Sequence, residues 1–126
     1  MRLGAIVIDS DNSDELSEFY RKMLGWAKEV QFFEDEKWII VKSVENEATP
    51  LVFQEVADYA RPQWPFVDGQ QQMLHLDFYV KAEDFDAEIE RAVSCGAVLS
   101  ETQLSESWNV LLDPAGHPFC IIPIFG

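Results

Sequence analysis

Apolar and polar positions along the chain form one pattern that is written twice. Near the start, Leu3 to Ile8 make a strand-length apolar run, followed by the polar stretch Asp11–Asp14. Leu16, Phe19, Tyr20, Met23 and Leu24 then recur with the spacing of one helical face. Asn12, with Glu15 three residues on, has the spacing of a capping box, and Gly25 suits the left-handed residue that closes a helix. Three further strands are expected, about Lys28–Phe33, Lys37–Val44 and Pro50–Val56, with polar turns between them. The order then returns. Leu74–Val80 reads as a strand and Glu83–Ser94 as a helix with Phe85, Ile89, Ala92 and Val93 inward. Strands near Ala97–Gln103, Trp108–Leu112 and Pro118–Pro123 follow, the last two joined by the turn Asp113-Pro114-Ala115-Gly116. A slide of about 71 positions sets Gly25 on Gly96 and Leu3, Ala5 and Val7 on Leu74, Leu76 and Phe78.

The pattern implies an α+β fold of two βαβββ modules, about residues 1–57 and 73–126, with helices outside the sheets. Residues 58–72 form a connector in which Pro62, Pro65 and Gly69 oppose regular structure. At 126 residues the whole is one domain's worth of chain. Two half-sheets that curve toward each other would leave a concave cup between them, and function is expected there.

Charge narrows the partners. A net charge of −14 disfavours approach to phosphate backbones and anionic lipid, so neither nucleic acid nor a membrane surface is an expected partner. No apolar run has the length of a membrane span, and no signal peptide is evident. Two cysteines, Cys95 and Cys120, are too few for a disulfide framework, so a reduced, cytoplasmic setting is expected.

The stretches EFYRKMLGW, LVFQEV, MLHLDFYV, a helix ending in CGA, and WNVLLDPAGHPFCI occur in an order that resembles the vicinal oxygen chelate superfamily. That group comprises glyoxalases, bleomycin-resistance proteins and extradiol dioxygenases, and the likeness is to its small glyoxalase-like branch. The resemblance covers essentially the whole chain. It implies a cupped, barrel-like mixed sheet, a homodimer, and function in the cup. Enzymes of the superfamily hold a divalent metal with a His or Glu from the first and last strand of each module. Carried over position by position, the set is depleted. The fifth strand supplies His75, the repeat offset places Gly4 at the first-strand position, and Cys120 stands in the last strand. The fourth strand offers Gln54 or Glu55. The resemblance therefore implies no metal cofactor here.

By strand alternation His75, Asp77 and Tyr79 share a face opposite Leu74, Leu76, Phe78 and Val80. His75 is either a ligand contact, with Asp77 setting its tautomer, or a satisfied barrel residue. Gln54, Trp38, Trp108 and Cys120 are the candidate walls of the cup, with Cys120 read as a packed thiol and the two rings also serviceable as core. Trp64 and Phe66 in the connector suit a lid or a dimer contact. His117 is expected to be an exposed turn residue and Cys95 a packed one. The preferred reading is a small-molecule-binding protein that takes an unidentified ligand in the cup at His75. The rivals are a divalent-metal-dependent lyase, isomerase or dioxygenase, a metal-free enzyme with His75 as base, and a structural dimer module with a filled core.

Overall fold

The computed structural model describes residues 1–45, 47–65, 69 and 73–125. The chain divides into two compact units, Met1–Ala60 and Arg61–Gly126, each carrying one copy of the repeated order.

In the first unit, β1 (Ile6–Ser10) leads into α1 (Ser13–Leu24), then β2 (Ala27–Phe33), β3 (Glu36–Lys42) and β4 (Leu51–Glu55). The sheet order is β1-β4-β3-β2. β1 runs parallel to β4, and the remaining pairs are antiparallel. α1 lies against one face because its apolar stripe matches the inward set of the strands. Leu16, Phe19, Tyr20 and Met23 are buried with Ile39, Val41, Leu51 and Phe53. The Tyr20 and Phe53 ring centroids are 5.7 Å apart. Each fully buried side chain of this size contributes roughly 1.5–3 kcal/mol. The start of α1 has only half a capping box: Asn12 Oδ1 accepts from the Glu15 N–H at 3.1 Å, while the Asn12 amide donates to Ser10 Oγ at 3.3 Å. Glu55 supplies the other acceptor. Its Oε1 takes the Ser13 N–H at 3.1 Å and the Ser13 hydroxyl at 3.4 Å. A carboxylate there also complements the positive end of the helix dipole. Gly25, at φ 69°, closes the helix through its N–H to the Arg21 carbonyl.

The second unit repeats the scheme with β5 (Leu76–Lys81), a single 3-10 turn (Ala82–Asp84), α2 (Phe85–Cys95), β6 (Val98–Leu99), β7 (Asn109–Leu112) and β8 (Pro118–Ile124). Its sheet order is β5-β8-β7-β6, with β5 parallel to β8. Phe78 and Phe119 meet edge-on at 5.6 Å. α2 is less deeply set than α1: Ala92 is buried, Phe85 and Ile89 are half-buried, and Val93 is 45% exposed rather than inward.

The strand expected at Ala97–Gln103 is only two residues long, for a specific reason. The Gln103 side chain donates to the carbonyls of Ser100 and Val110 at 2.8 and 2.9 Å, and its Oε1 accepts from the Val110 N–H at 2.8 Å. An amide side chain thus completes the edge of β7 where backbone pairing was expected. Among the described residues, no helix is long and apolar enough to cross a membrane.

Candidate functional site

Sheet register settles which side chains can serve a site on the face away from the helices. In the first unit Ile6 and Ile8 pair laterally with Leu51 and Phe53, which places them on the helix side. The open face therefore carries the odd-numbered residues of β1, and Val7 is 51% exposed. This corrects the sequence-derived offset by one residue, because the stretch between strand and helix differs between the two copies. The counterpart of His75 is thus not Gly4 but a neighbour facing the other way, and Leu3, Ala5 and Val7 all lack a metal donor. Asp9, on the same face, lies beside Gln54.

The fourth strand is resolved in the same way. Gln54 shares the open face, while Glu55 is turned to the helix and engaged with Ser13. Trp38 falls on the open face too, as the residue next to buried Ile39, and pairs with Gln31. Both Trp38 and Gln54 are half-buried.

In the second unit the structure brings together three of the expected residues. His75, just ahead of β5, and Asp77 within it lie on the open face. Their side chains are 45% and 39% exposed, with His75 Nε2 3.2 Å from Asp77 Oδ1. Asp77 pairs laterally with Cys120 of β8. One ligand atom from each of His75, Asp77 and Cys120 lies within 4.8 Å of the others. Cys120 is buried. Burial first, then the charge and hydrogen bond of Asp77, push its thiol up to about 11, so it is a neutral thiol at physiological pH. Tyr79, two residues beyond Asp77 on the same face, is 67% exposed. Trp108 precedes β7 and shares the alternation of Val110, which pairs with Cys120; it is half-buried.

His117 differs from expectation. Its side chain is 24% exposed, and Nδ1 lies 2.8 and 3.0 Å from the two carboxylate oxygens of Asp113, which is fully buried. Asp113 Oδ1 also accepts the N–H groups of Ala115 and His117, each at 2.9 Å. The pair organises the DPAGH turn. Gly116 sits there at φ 92°, and a Cβ at that position would meet the Arg61 guanidinium at 3.2 Å. Arg61 Nη1 donates to the Pro114 carbonyl at 2.9 Å, which ties the end of the connector to this turn.

Trp64 is half-buried, and its indole N–H is buried without a hydrogen-bond partner among the described residues. Phe66, expected beside it as a lid or dimer contact, lies outside the described residues. Cys95 is half-buried and free. Asp9 was missed by sequence reasoning. The signal that could have found it is the Ile6-x-Ile8 alternation, which the repeat offset overrode.

Two four-stranded mixed sheets, each backed by one helix and each built in the order βαβββ, define the glyoxalase-like fold of the vicinal oxygen chelate superfamily. The glyoxalase-like domain family model matches residues 5–122, and the chain belongs to that family. Solved structures share the fold at low identity. One is a glyoxalase/bleomycin resistance protein/dioxygenase family enzyme from Burkholderia phytofirmans PsJN, at 19% identity, with 99% of this chain and 100% of that one covered and a TM-score of 0.69. A glyoxylase/bleomycin resistance protein/dioxygenase domain from Frankia sp. EAN1pec matches at 17% identity, 98% and 97% coverage and a TM-score of 0.68. A mutant of a genomically encoded fosfomycin resistance protein from Listeria monocytogenes, complexed with Mn(II) and 1S,2S-dihydroxypropylphosphonic acid, matches at 13% identity. It covers 98% of this chain and 93% of its own, with a TM-score of 0.68. A comparison with curated proteins finds no match.

The superfamily's usual metal set takes one donor from each of four strands. Here the first strand places Asp9 on the open face but has no donor at the position matching His75, and the fourth offers the neutral amide of Gln54, so the residues present do not match that set. The second unit alone supplies His75, Asp77 and Cys120.

Proposed function

We propose that this protein binds a small molecule on the open face of its second module, with His75 as the central contact and no catalytic metal. The observation that carries the reading is the gathering of His75, Asp77 and Cys120 on one sheet face, with the imidazole and carboxylate both left half open. Asp77 orients the imidazole, because a carboxylate only accepts, so the ring nitrogen facing it holds the proton. The other ring nitrogen can then accept a hydrogen bond from a ligand, or a proton if the bound molecule is acidic. Cys120 and Trp108 lie on the same face. Gln54 and Trp38 occupy the open face of the first module, and we assign them to ligand contacts as well.

The test is a fragment screen by protein-observed NMR on the wild type and on His75→Ala. Hits should cluster at His75–Tyr79 and weaken in the variant by about 0.5–1.5 kcal/mol, the net value of one hydrogen bond. Hits confined to the helix surfaces, or unchanged affinity in the variant, would defeat the reading.

One observation favours a second reading. Three donor atoms within 4.8 Å are close enough to hold a divalent ion, and the Listeria relative is described with Mn(II). A metal-dependent lyase, isomerase or dioxygenase would then be in view. Elemental analysis after dialysis decides between them: the preferred reading expects no stoichiometric transition metal, and close to one ion per chain, lost in His75→Ala, would establish the rival.

We take the working form to be a cytoplasmic homodimer. Two four-stranded sheets with outer strands β1, β2, β5 and β6 leave edges that a second copy can cover. Sedimentation at micromolar concentration showing only monomer would remove that part of the proposal.

A further inference from the structure

We infer that the ligand recognised on the open face of the second module is a small organic cation, one carrying an N–H-bearing amine or amidine group on an apolar or aromatic body. The inference rests on the reading that ligands bind at His75, and it adds the chemical class.

Asp77 gives the face at His75 an exposed acceptor. Asp77, when ionised, is acceptor-only. It accepts a hydrogen bond from the His75 nitrogen facing it at 3.2 Å and is hydrogen-bonded with the neutral Cys120 thiol. When the imidazole is uncharged, its second nitrogen carries a lone pair and can only accept. A ligand that docks here must bring donors, and an ammonium or amidinium brings several together with a complementary charge.

The distribution of charge points the same way. Arg21, Lys28, Lys37, Lys42 and Arg91 are each engaged with an acid, namely Glu18, Asp14, Glu29 or Glu88. Among the described residues, Asp77 has no Lys or Arg in salt-bridge range, and its basic neighbour is the His75 imidazole. Its carboxylate remains 39% exposed in a chain of net charge −14, so the surrounding field attracts cations and repels anions. Tyr79 lies two residues along the same strand face, with 67% of its surface open. Its ring offers a cation or an aromatic body a flat partner. Lone acidic groups on solvated helices lack this combination of a neighbouring imidazole, a carboxylate hydrogen-bonded to a buried thiol and an exposed ring.

The experiment compares three probes of one shape on the wild-type chain: benzylamine, benzyl alcohol and benzoate, followed by amide and imidazole resonances. Benzylamine should shift His75 through Tyr79 with an affinity about tenfold above that for benzoate, and Asp77→Asn should abolish that preference. Equal or better binding of benzoate or benzyl alcohol at these residues would overturn the cation assignment and leave the binding reading intact. Retention of the preference in Asp77→Asn would overturn the role of Asp77. Benzylamine shifts confined to the acidic helix faces, with no probe perturbing His75, would remove both this inference and the reading beneath it. The three-probe comparison needs no variant, so a misfolded Asp77→Asn would not remove the test.

Discussion

Cys120 sits where its thiol is both buried and paired with a carboxylate, and its reactivity follows. Burial and the neighbouring charge of Asp77 each penalise the thiolate. Iodoacetamide at pH 8 should therefore label Cys95 well before Cys120, and Asp77→Asn should speed labelling of Cys120 at pH 9–10 by removing one of the two causes. Peptide mass spectrometry reads both, and equal labelling of the two cysteines in the wild type would contradict this account. Asp113 is the other residue with a sharp expectation. It is fully buried and satisfies two backbone N–H groups and an imidazole at once. Asp113→Ala leaves those donors without an acceptor, so a loss of about 2–3 kcal/mol is expected by thermal or urea unfolding. His117→Ala should cost less, because it removes one donor and leaves the backbone bonds in place.

At the scale of elements, α1 carries a charge pair whose pH dependence can be read. Its hydrogen bond with Arg21 holds Glu18 down at about 2, below the ordinary 4.5. A carboxyl with a depressed folded pKa contributes stability above its unfolded value and loses it as pH falls, here from about 4.5 toward 2. The side chain is 36% exposed, so screening limits the contribution to about 0.5 kcal/mol. Glu18→Gln should lower stability at neutral pH by about that amount and flatten the acid limb accordingly; circular dichroism at successive pH values measures it.

The elements were legible in the sequence where periodicity and burial coincide. Leu16, Phe19, Tyr20 and Met23 announce α1 because all four go fully inward, and Gly25 marks its end because its φ of 69° suits glycine. Elsewhere a local contact decided what spacing could not. Gln103 shortened β6 with its side-chain amide, and Glu55 proved to be a cap instead of a site residue because Ser13 lies within its reach. His75, Asp77 and Cys120 were legible as neighbours on one face since strand alternation and the parallel pairing of β5 with β8 bring them together. The first-strand partner was misplaced by one residue, because a repeat read from its glycines carries no information about an insertion between strand and helix. A one-residue slip in a strand reverses its faces.

Taken across the whole chain, the two copies have come to do different work. α1 buries six of its residues, Ser13, Leu16, Ser17, Phe19, Tyr20 and Met23, and α2 buries Ala92 alone. The polar cluster, by contrast, belongs entirely to the second copy. Stability opens locally where few apolar contacts hold an element, so amide exchange should be slower along α1 than along α2, and protection that is uniform over both helices would show the asymmetry to be only geometric.

That asymmetry bears on how such a chain can change over generations. A duplicated unit starts with two equivalent faces and two equivalent cores, and the same substitution is then equally costly in either. Once one copy anchors the fold, the other is released from part of that duty. New chemistry should therefore enter this lineage through the β5–β8 face, while the α1 core stays nearly fixed.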